Sequence, residues 1–115
     1  MLKTEVARSK AFIVAEVIEY IPNSVVIKSI IKRITGNISA ISFDSGELLH
    51  GKISPFETFI QIIEGNAEVV IDDKPILLET GQSIIIPAHS RTTIKANEKF
   101  KMLSTLIKSG YEEVS

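Results

Sequence analysis

Short runs rich in β-branched residues, separated by turn-forming residues, recur along most of this chain. After Tyr20 the run SVVIKSIIKRI is followed by a turn at 35–37, and the run ISAISF is followed by a turn at 44–46. The later runs are FETFIQII, AEVVI, ILLE, SIIIP, RTTIKA and KFKMLSTLI. About eight short strands at intervals of about ten residues predict an all-β sandwich or barrel rather than alternating β and α units.

Length and composition limit this fold to one domain. The chain has 115 residues, of which 44% are hydrophobic and 23% are charged, so it can bury a single core of ordinary size. We expect a barrel over residues 21–109 and a flexible C-terminus over residues 110–115. Residues 1–20 are predicted to form a lead-in, helical or irregular, that packs on the barrel or on a dimer partner.

Charge and cysteine content exclude several classes of protein. The formal net charge is −1, and no basic stripe is available to neutralise phosphates, so we expect no nucleic-acid partner. The chain has no cysteine, which excludes a disulfide framework, a thiolate zinc site and a cysteine nucleophile. No stretch reaches the ~18 apolar residues of a membrane span, and the start lacks a signal-peptide pattern. We therefore expect a cytoplasmic protein without a membrane partner.

The run FETFIQII is apolar on both faces of the predicted strand. Phe59 and Ile63 lie on one face, whereas Ile60 and Ile62 lie on the other. Such a strand needs two dry environments, which in a closed barrel are the interior and a subunit interface. The pattern therefore predicts a homodimer, although a second layer within the monomer explains it equally well.

Two stretches of the chain resemble the two sequence motifs of the cupin family. Residues 46–71 are similar to the first motif and its hairpin, and residues 81–89 are similar to the second. Within them Gly65, Gly81 and Pro87 stand at the spacing of the cupin pattern. The resemblance covers most of the chain and implies a small single-domain cupin, a double-stranded β-helix or jelly-roll barrel. Because one scaffold carries many chemistries, the resemblance says little about function.

At the four positions where the resemblance implies metal ligands, this chain carries other residues. The two histidines of the first motif fall on Lys52 and Ser54, its glutamate falls on Thr58, and the histidine of the second motif falls on Thr92. A transition metal is held by about three or four imidazole or carboxylate ligands, and a lysine ammonium repels a cation. We therefore expect a cupin with degenerate metal motifs and no cofactor.

A displaced site built from His50, Glu57 and His89 is the alternative. The chain has two histidines, and both fall within the motif regions. Since histidine titrates near neutral pH, this cluster would bind a divalent transition metal or take part in acid–base catalysis. In the simpler interpretation His50 lies in a surface turn, His89 occupies the loop position of the motif glycine, and Glu57 faces solvent.

Seven residues are candidates for a ligand pocket. Some lie at or near the ligand positions of the motifs, two are apolar residues at strand spacing, and one is a glutamine inside an otherwise apolar strand. They are Lys52, Phe56, Thr58, Gln61, His89, Thr92 and Met102.

Three functions remain open from the sequence. We favour a metal-free barrel that binds a small molecule as a sensor or carrier. The alternatives are a metal-dependent dioxygenase or isomerase that uses the displaced site, and a structural or interaction module with a filled barrel. The sequence does not decide whether the protein is an enzyme, and it does not identify the ligand.

Overall fold

The computed structural model describes residues 6–108, and this range contains one short helix followed by nine strands. The elements are α1 (Val14–Val17), β1 (Val25–Arg33), β2 (Gly36–Phe43), β3 (Leu48–His50), β4 (Glu57–Glu64), β5 (Ala67–Ile71), β6 (Lys74–Leu78), β7 (Ser83–Ile86), β8 (Thr92–Lys95) and β9 (Phe100–Ile107). The predicted all-β fold is confirmed. The first five residues of the lead-in and the predicted flexible C-terminus at 110–115 lie outside the described residues.

The strands form two antiparallel sheets that face each other. One sheet has five strands in the order β1-β2-β9-β4-β7, and the other has four in the order β3-β8-β5-β6. Neighbours along the chain often lie in different sheets, as in a jelly roll. The sequence analysis did not predict β3, because three residues are too few to show a period of two. Pairing with β8, in which His50 lies opposite Thr93, defines this strand.

The main core lies between the sheets and is built by alternation along the strands. Ile60 and Ile62 of β4 face inward, as do Phe100 and Met102 of β9. Phe43, at the end of β2, pairs with Phe100, at the start of β9, and their rings stack with centroids 4.4 Å apart. Stacked aromatic rings therefore fill this end of the barrel, which we call the closed end.

Two tight turns fix the hairpin connections. Asp72 and Asp73 have φ values of 48° and 69°, as a two-residue type I′ turn requires, and they join β5 to β6. Gly65, between β4 and β5, has a φ of 89°, and a Cβ there would lie 2.8 Å from the Lys99 carbonyl oxygen and 2.9 Å from Phe100 Cβ. Only glycine lets this turn approach the closed end.

The lead-in lies against the outer face of the five-stranded sheet. It is irregular except for the four residues of α1. Ile18 is buried against Ile30 of β1 and Ala40 of β2, and these three residues form a second, smaller core. Lead-in residues therefore cover part of the outer face with apolar side chains.

Tyr20, at the end of the lead-in, contacts residues of the barrel through its hydroxyl and its ring. Its hydroxyl donates a hydrogen bond of 2.6 Å to Glu64 Oε2, and burial together with this carboxylate raises the pKa of the Tyr20 phenol above its usual range. The ammonium groups of Lys99 and Lys101 each lie 4.9 Å from the centre of the tyrosine ring, a distance typical of cation–π contacts. Lys101 Nζ also donates a hydrogen bond to the Ala15 carbonyl oxygen.

The part of the outer face nearest β7 is apolar and exposed. Phe59 of β4 pairs with Ile85 of β7, and both point away from the core, with 36% and 60% of their surfaces exposed. Ile107 of β9 is 62% exposed and lies diagonally from Phe59 on the neighbouring strand. The predicted two-sided character of β4 is therefore present. Across residues 6–108, no helix has the length and apolar character to cross a membrane.

Candidate functional site

A cavity of about 150 Å³ lies between the two sheets at the end of the barrel opposite the phenylalanine stack. We call this end the open end. Its exposed lining residues, Gly51, Lys52 and Pro87, mark the mouth, and the interior residues become progressively more buried. The buried walls are apolar except for two hydroxyl residues, and are formed by Ile41, Ile60, Ile86, Ser90, Thr92, Ile94 and Met102.

The four positions at which the sequence resemblance implies metal ligands all line this cavity. Lys52 and Ser54 lie in the connection between β3 and β4, Thr58 lies in β4, and Thr92 begins β8. The four motif positions, although separated in sequence, therefore lie around the same cavity. Ser104, on β9 two residues beyond Met102, adds a further hydroxyl to the wall.

Two backbone hydrogen bonds hold the β3–β4 connection against the segment that leads into β8. The Gly51 N–H donates to the Thr92 carbonyl oxygen at 2.9 Å, and the His89 N–H donates to the Ser54 carbonyl oxygen at 2.6 Å. His89 has a φ of 65°, the left-handed conformation in which glycine is most common. His89 thus shapes the mouth through its backbone, and its side chain is exposed.

Asp72 holds the start of β8 from the other side. Its Oδ1 accepts a hydrogen bond of 2.9 Å from the Arg91 N–H, and its own N–H donates to the Arg91 carbonyl oxygen at 2.8 Å. Arg91 lies between Ser90 and Thr92, which both line the cavity. The β5–β6 turn therefore positions these two hydroxyl residues.

The donor set of the cavity does not fit a transition metal. Among the described residues that line it are five hydroxyl side chains and one ammonium, with no imidazole, thiolate or carboxylate. Such metals are bound by nitrogen, thiolate or carboxylate ligands, and the ammonium of Lys52 would oppose a cation by direct repulsion. The chemistry of these side chains suits hydrogen bonding to a small molecule better.

Two of the hydroxyls are buried and have no hydrogen-bond partner among the residues that the structure describes. Ser90 is 7% exposed and Thr92 is 8% exposed. Neither side chain makes a hydrogen bond to another group within residues 6–108. Because a buried polar group without a partner costs about 1–3 kcal/mol, such groups are usually satisfied by water or by a ligand.

The cavity contains five of the seven residues that the sequence suggested for a ligand pocket. Lys52, Phe56, Thr58, Thr92 and Met102 line it.

Gln61 and His89 do not line the cavity. Gln61 alternates with the inward-facing Ile60 and Ile62, so it lies on the outer face of β4, opposite Leu103 of β9. Whether the five lining residues bind a ligand stays a prediction.

The sequence analysis missed Ser90 and Ser104. Alternation from Met102 identifies Ser104 once the inward face of β9 is known. Ser90 lies in the loop before β8, where no periodic signal exists, so its position depends on the backbone conformation of His89.

The displaced metal site is not assembled. His50 lies on the outer face of the four-stranded sheet, where its Nδ1 forms a hydrogen bond of 3.1 Å with Thr93 Oγ1. Glu57 is exposed on β4, and His89 is exposed in the loop before β8. In the part of the chain that the structure describes, no three His, Cys, Asp or Glu side chains come together as a metal site would require.

A larger cavity of about 250 Å³ lies at the edge of the four-stranded sheet. Its polar lining residues are all exposed, and only Ala67 and Leu78 are buried. It is therefore a surface groove without a polar group directed into a dry interior. The smaller cavity at the open end is the better candidate site, because buried hydroxyls point into it.

Structural comparison identifies proteins with the same fold. A cupin superfamily protein from Desulfitobacterium hafniense superposes with a TM-score of 0.84 at 27% sequence identity, over 94% of this chain and 98% of its own. A conserved protein of unknown function from Streptococcus pyogenes has a TM-score of 0.84 at 24% identity, over 90% of each chain. A cupin 2 conserved barrel domain protein from Leptotrichia buccalis has a TM-score of 0.78 at 29% identity, over 82% of this chain and 46% of its own.

These likenesses confirm the fold that the sequence resemblance implied. The chain is a small cupin-type domain with an all-β jelly-roll architecture. Neither a protein-family model nor a curated protein sequence matches it. The three names describe a fold or an unknown function, so the function has to be argued from the cavity itself.

Proposed function

We propose that this barrel binds a small organic molecule in the open-end cavity, without a metal, and acts as a sensor or carrier. The observation that carries the proposal is the pair of buried hydroxyls of Ser90 and Thr92, which have no hydrogen-bond partner within residues 6–108 and lie in the otherwise apolar buried wall of the cavity. Buried polar side chains that have no partner in the protein are usually satisfied by a bound molecule. A barrel filled only for structural reasons would not need them.

The size of the cavity limits the ligand. An apolar cavity of about 150 Å³ in another protein holds benzene, and the cavity here has a similar volume of about 150 Å³. The apolar part of the ligand is therefore expected to have about the size of one benzene ring. Its polar group faces the hydroxyls.

The side chains that line the cavity support binding better than catalysis. Hydroxyls and an ammonium bind and orient a ligand, whereas the dioxygenase or isomerase alternative needs metal ligands. Measuring the metal content of the protein distinguishes the metal-dependent enzyme from the metal-free binding protein.

The test of the proposal uses methionine methyl groups as reporters. The chain has two methionines, Met1 and Met102, and Met102 lines the cavity with 2% of its surface exposed. In protein labelled with ¹³C at the methionine methyls, a set of small neutral and charged organic molecules is titrated. We expect saturable shifts of the Met102 signal. If no molecule in the set moves Met102, the binding function is wrong.

Elemental analysis of protein purified without an affinity tag tests the metal-free part of the proposal. Thermal melts with Mn, Fe, Co, Ni, Cu and Zn follow, because a ligand that binds only the folded state raises the melting temperature. We expect no stoichiometric metal and no saturable shift. Stoichiometric metal that disappears in His50→Ala or His89→Ala would make the enzyme alternative the better one.

We also propose that the protein is a homodimer through the outer face of the five-stranded sheet. The support is the exposed apolar patch of Phe59, Ile85 and Ile107 beside the covered part of that face, since contiguous exposed apolar patches often mark interfaces. Analytical ultracentrifugation of Ile85→Lys, which introduces a charge into the patch, is expected to give a monomer while the wild type is a dimer. A wild-type monomer at all concentrations would exclude this interface. Cytoplasmic location stays a prediction.

A further inference from the structure

We infer that the ligand of the open-end cavity is a small monocarboxylate, whose anionic group is bound by Lys52 and by hydroxyls and whose apolar tail points toward Met102. The inference rests on the proposed binding function and narrows its ligand to one chemical class. It follows from the charges, the hydrogen-bond donors and the shape of the cavity.

The cavity has one charged lining residue, and that residue is a cation. Lys52 lines the mouth, and no acidic side chain is present among the lining residues that the structure describes. Lys52 also has no ion pair within residues 6–108. An ammonium group donates hydrogen bonds and accepts none, so it favours a ligand group that is an acceptor and carries negative charge. A positive charge thus stands at a position where the cupin resemblance implies a metal ligand.

The hydroxyls near Lys52 are available as further donors. Ser54 Oγ accepts a hydrogen bond of 3.0 Å from the Phe56 N–H, which leaves its own proton free to donate. Ser90 and Thr92 are buried and make no side-chain hydrogen bond within the described range. A carboxylate has acceptor sites for about four hydrogen bonds, so one ammonium and three hydroxyls match its capacity.

The packing of the mouth brings these donors to one side of the cavity. A Cβ on Gly51, the residue before Lys52, would lie 3.8 Å from Thr92 Cβ. The His89 N–H hydrogen bond to the Ser54 carbonyl holds the loop that carries Ser90 against the same connection. The anionic group is therefore expected between the β3–β4 connection and the start of β8.

The opposite side of the cavity is suited to an apolar tail. Ile41, Ile60 and Met102 are buried and line the inner wall. Burial of a short hydrocarbon tail against these side chains is favourable, whereas a second charged group there would lose its hydration without gaining a partner. This excludes dicarboxylates and phosphorylated sugars and favours a monocarboxylate with a short branched or aromatic tail.

The experiment compares two matched pairs of probes on protein with ¹³C-labelled methionine methyls. The pairs are isobutyrate with isobutyramide and benzoate with benzamide, which have the same shape and differ in charge. We expect each acid to shift the Met102 signal saturably and to bind about tenfold or more tightly than its amide, since a charge-assisted hydrogen bond is about twice as strong as a neutral one.

Variants assign the preference to Lys52. In Lys52→Gln the acid and the amide are expected to bind with similar affinity, because the charge is gone while the hydroxyls remain. Lys28→Gln removes an exposed lysine of β1 that does not line the cavity, and it is expected to keep the wild-type preference. An unchanged Met102 signal in both ligand-free variants shows that the cavity is intact.

The outcomes separate the two proposals. If amides and other neutral molecules shift Met102 as strongly as the acids do, the monocarboxylate inference is wrong and the binding function stands. The same conclusion follows if Lys52→Gln keeps the preference for acids. If no probe of either kind shifts Met102, both the inference and the proposed function are wrong.

Discussion

The two ends of the barrel are built differently, although the same strands run through both. At the closed end Phe43 and Phe100 are completely buried and stack on each other. At the open end the same pair of strands contributes Ile41, Met102 and Ser104 to a cavity. The difference indicates that the closed end supplies packing free energy, whereas the open end keeps space and, among the residues that the structure describes, buried hydroxyls without a hydrogen-bond partner.

The two ends also differ in how their hydroxyl groups are hydrogen-bonded. Thr80, near the closed end, exchanges two hydrogen bonds with the backbone of Gly65, of 3.0 and 2.8 Å. At the open end Ser90 and Thr92 have no such partner within residues 6–108. Matched substitutions at the two ends therefore test whether this difference is real.

The largest expected difference in the free energy of unfolding is between phenylalanine substitutions at the two ends. Phe100→Ala removes a completely buried ring and is expected to lower the free energy of unfolding by about 3–5 kcal/mol. Phe56→Ala removes a half-buried ring from the cavity wall and is expected to cost about 1 kcal/mol. Urea unfolding followed by circular dichroism measures both values. Equal losses would contradict the difference in packing.

Alanine substitutions at two glycines, one at each end, are expected to give the next largest difference in the free energy of unfolding. Gly65→Ala places a Cβ within 3 Å of the Lys99 and Phe100 atoms at a positive φ, and is expected to lower the free energy of unfolding by about 1–3 kcal/mol. Gly51→Ala at the open end meets its nearest atom, the Thr92 carbonyl oxygen, at 3.5 Å. Its effect is expected to stay within about 0.5 kcal/mol. Urea unfolding measures both values. If Gly51→Ala lowered the free energy of unfolding more than Gly65→Ala does, the closed end would not be the more tightly packed end.

Two threonine substitutions are expected to have opposite signs. Thr80→Val loses both hydrogen bonds to Gly65 and is expected to destabilise the protein by about 1 kcal/mol. Thr92→Val replaces an unpaired buried hydroxyl by a methyl group of similar size, and is expected to stabilise the ligand-free protein by about 1 kcal/mol. Thermal melts in ligand-free buffer compare the two variants. A destabilised Thr92→Val variant would mean that this hydroxyl already has a partner.

Acid is expected to destabilise the protein near the closed end, with a smaller effect. The Asn23 N–H donates a hydrogen bond of 2.7 Å to Asp44 Oδ2. This hydrogen bond and one from the Ser45 N–H hold the pKa of the Asp44 carboxyl below its usual range. A lowered folded-state pKa contributes stability above the unfolded value, and this contribution is lost as the pH falls through the folded value.

Melts at pH 7 and pH 3 test this contribution. We expect Asp44→Asn to lose less melting temperature than the wild type between these two pH values. Asp73→Asn, in the β5–β6 turn, is the control, and its acid sensitivity should match that of the wild type. An unchanged loss in Asp44→Asn would show that other groups cause the acid sensitivity.

The sequence predicted the strands better than it predicted which side of each strand faces inward. Alternation along β4 identified two faces, but it could not tell which face was inside, because that depends on the opposite sheet. Gln61 was therefore considered as a pocket residue, although it shares a face with the outward-pointing Phe59. The three-residue strand β3 was missed for a related reason, since its pairing with β8 determines it more than its own composition does.

The candidate site could be predicted in part, through spacing. The distances in sequence from Gly65, Gly81 and Pro87 singled out Lys52 and Thr92, which both line the cavity. Ser90 could not be predicted, because its position depends on a left-handed residue, His89, where the motif pattern has glycine. Which hydroxyls lack partners is likewise a property of the folded barrel and cannot be read from residue types.

The four positions around the mouth have a consequence for how such a barrel changes over evolutionary time. Lys52, Ser54, Thr58 and Thr92 lie in a connection or near strand ends, and none of them belongs to the main core. Substitutions there change the groups that line the cavity, while the phenylalanine stack continues to hold the fold together. The lining of this cavity can therefore diverge between descendants of one sequence at a lower cost in stability than changes at the closed end.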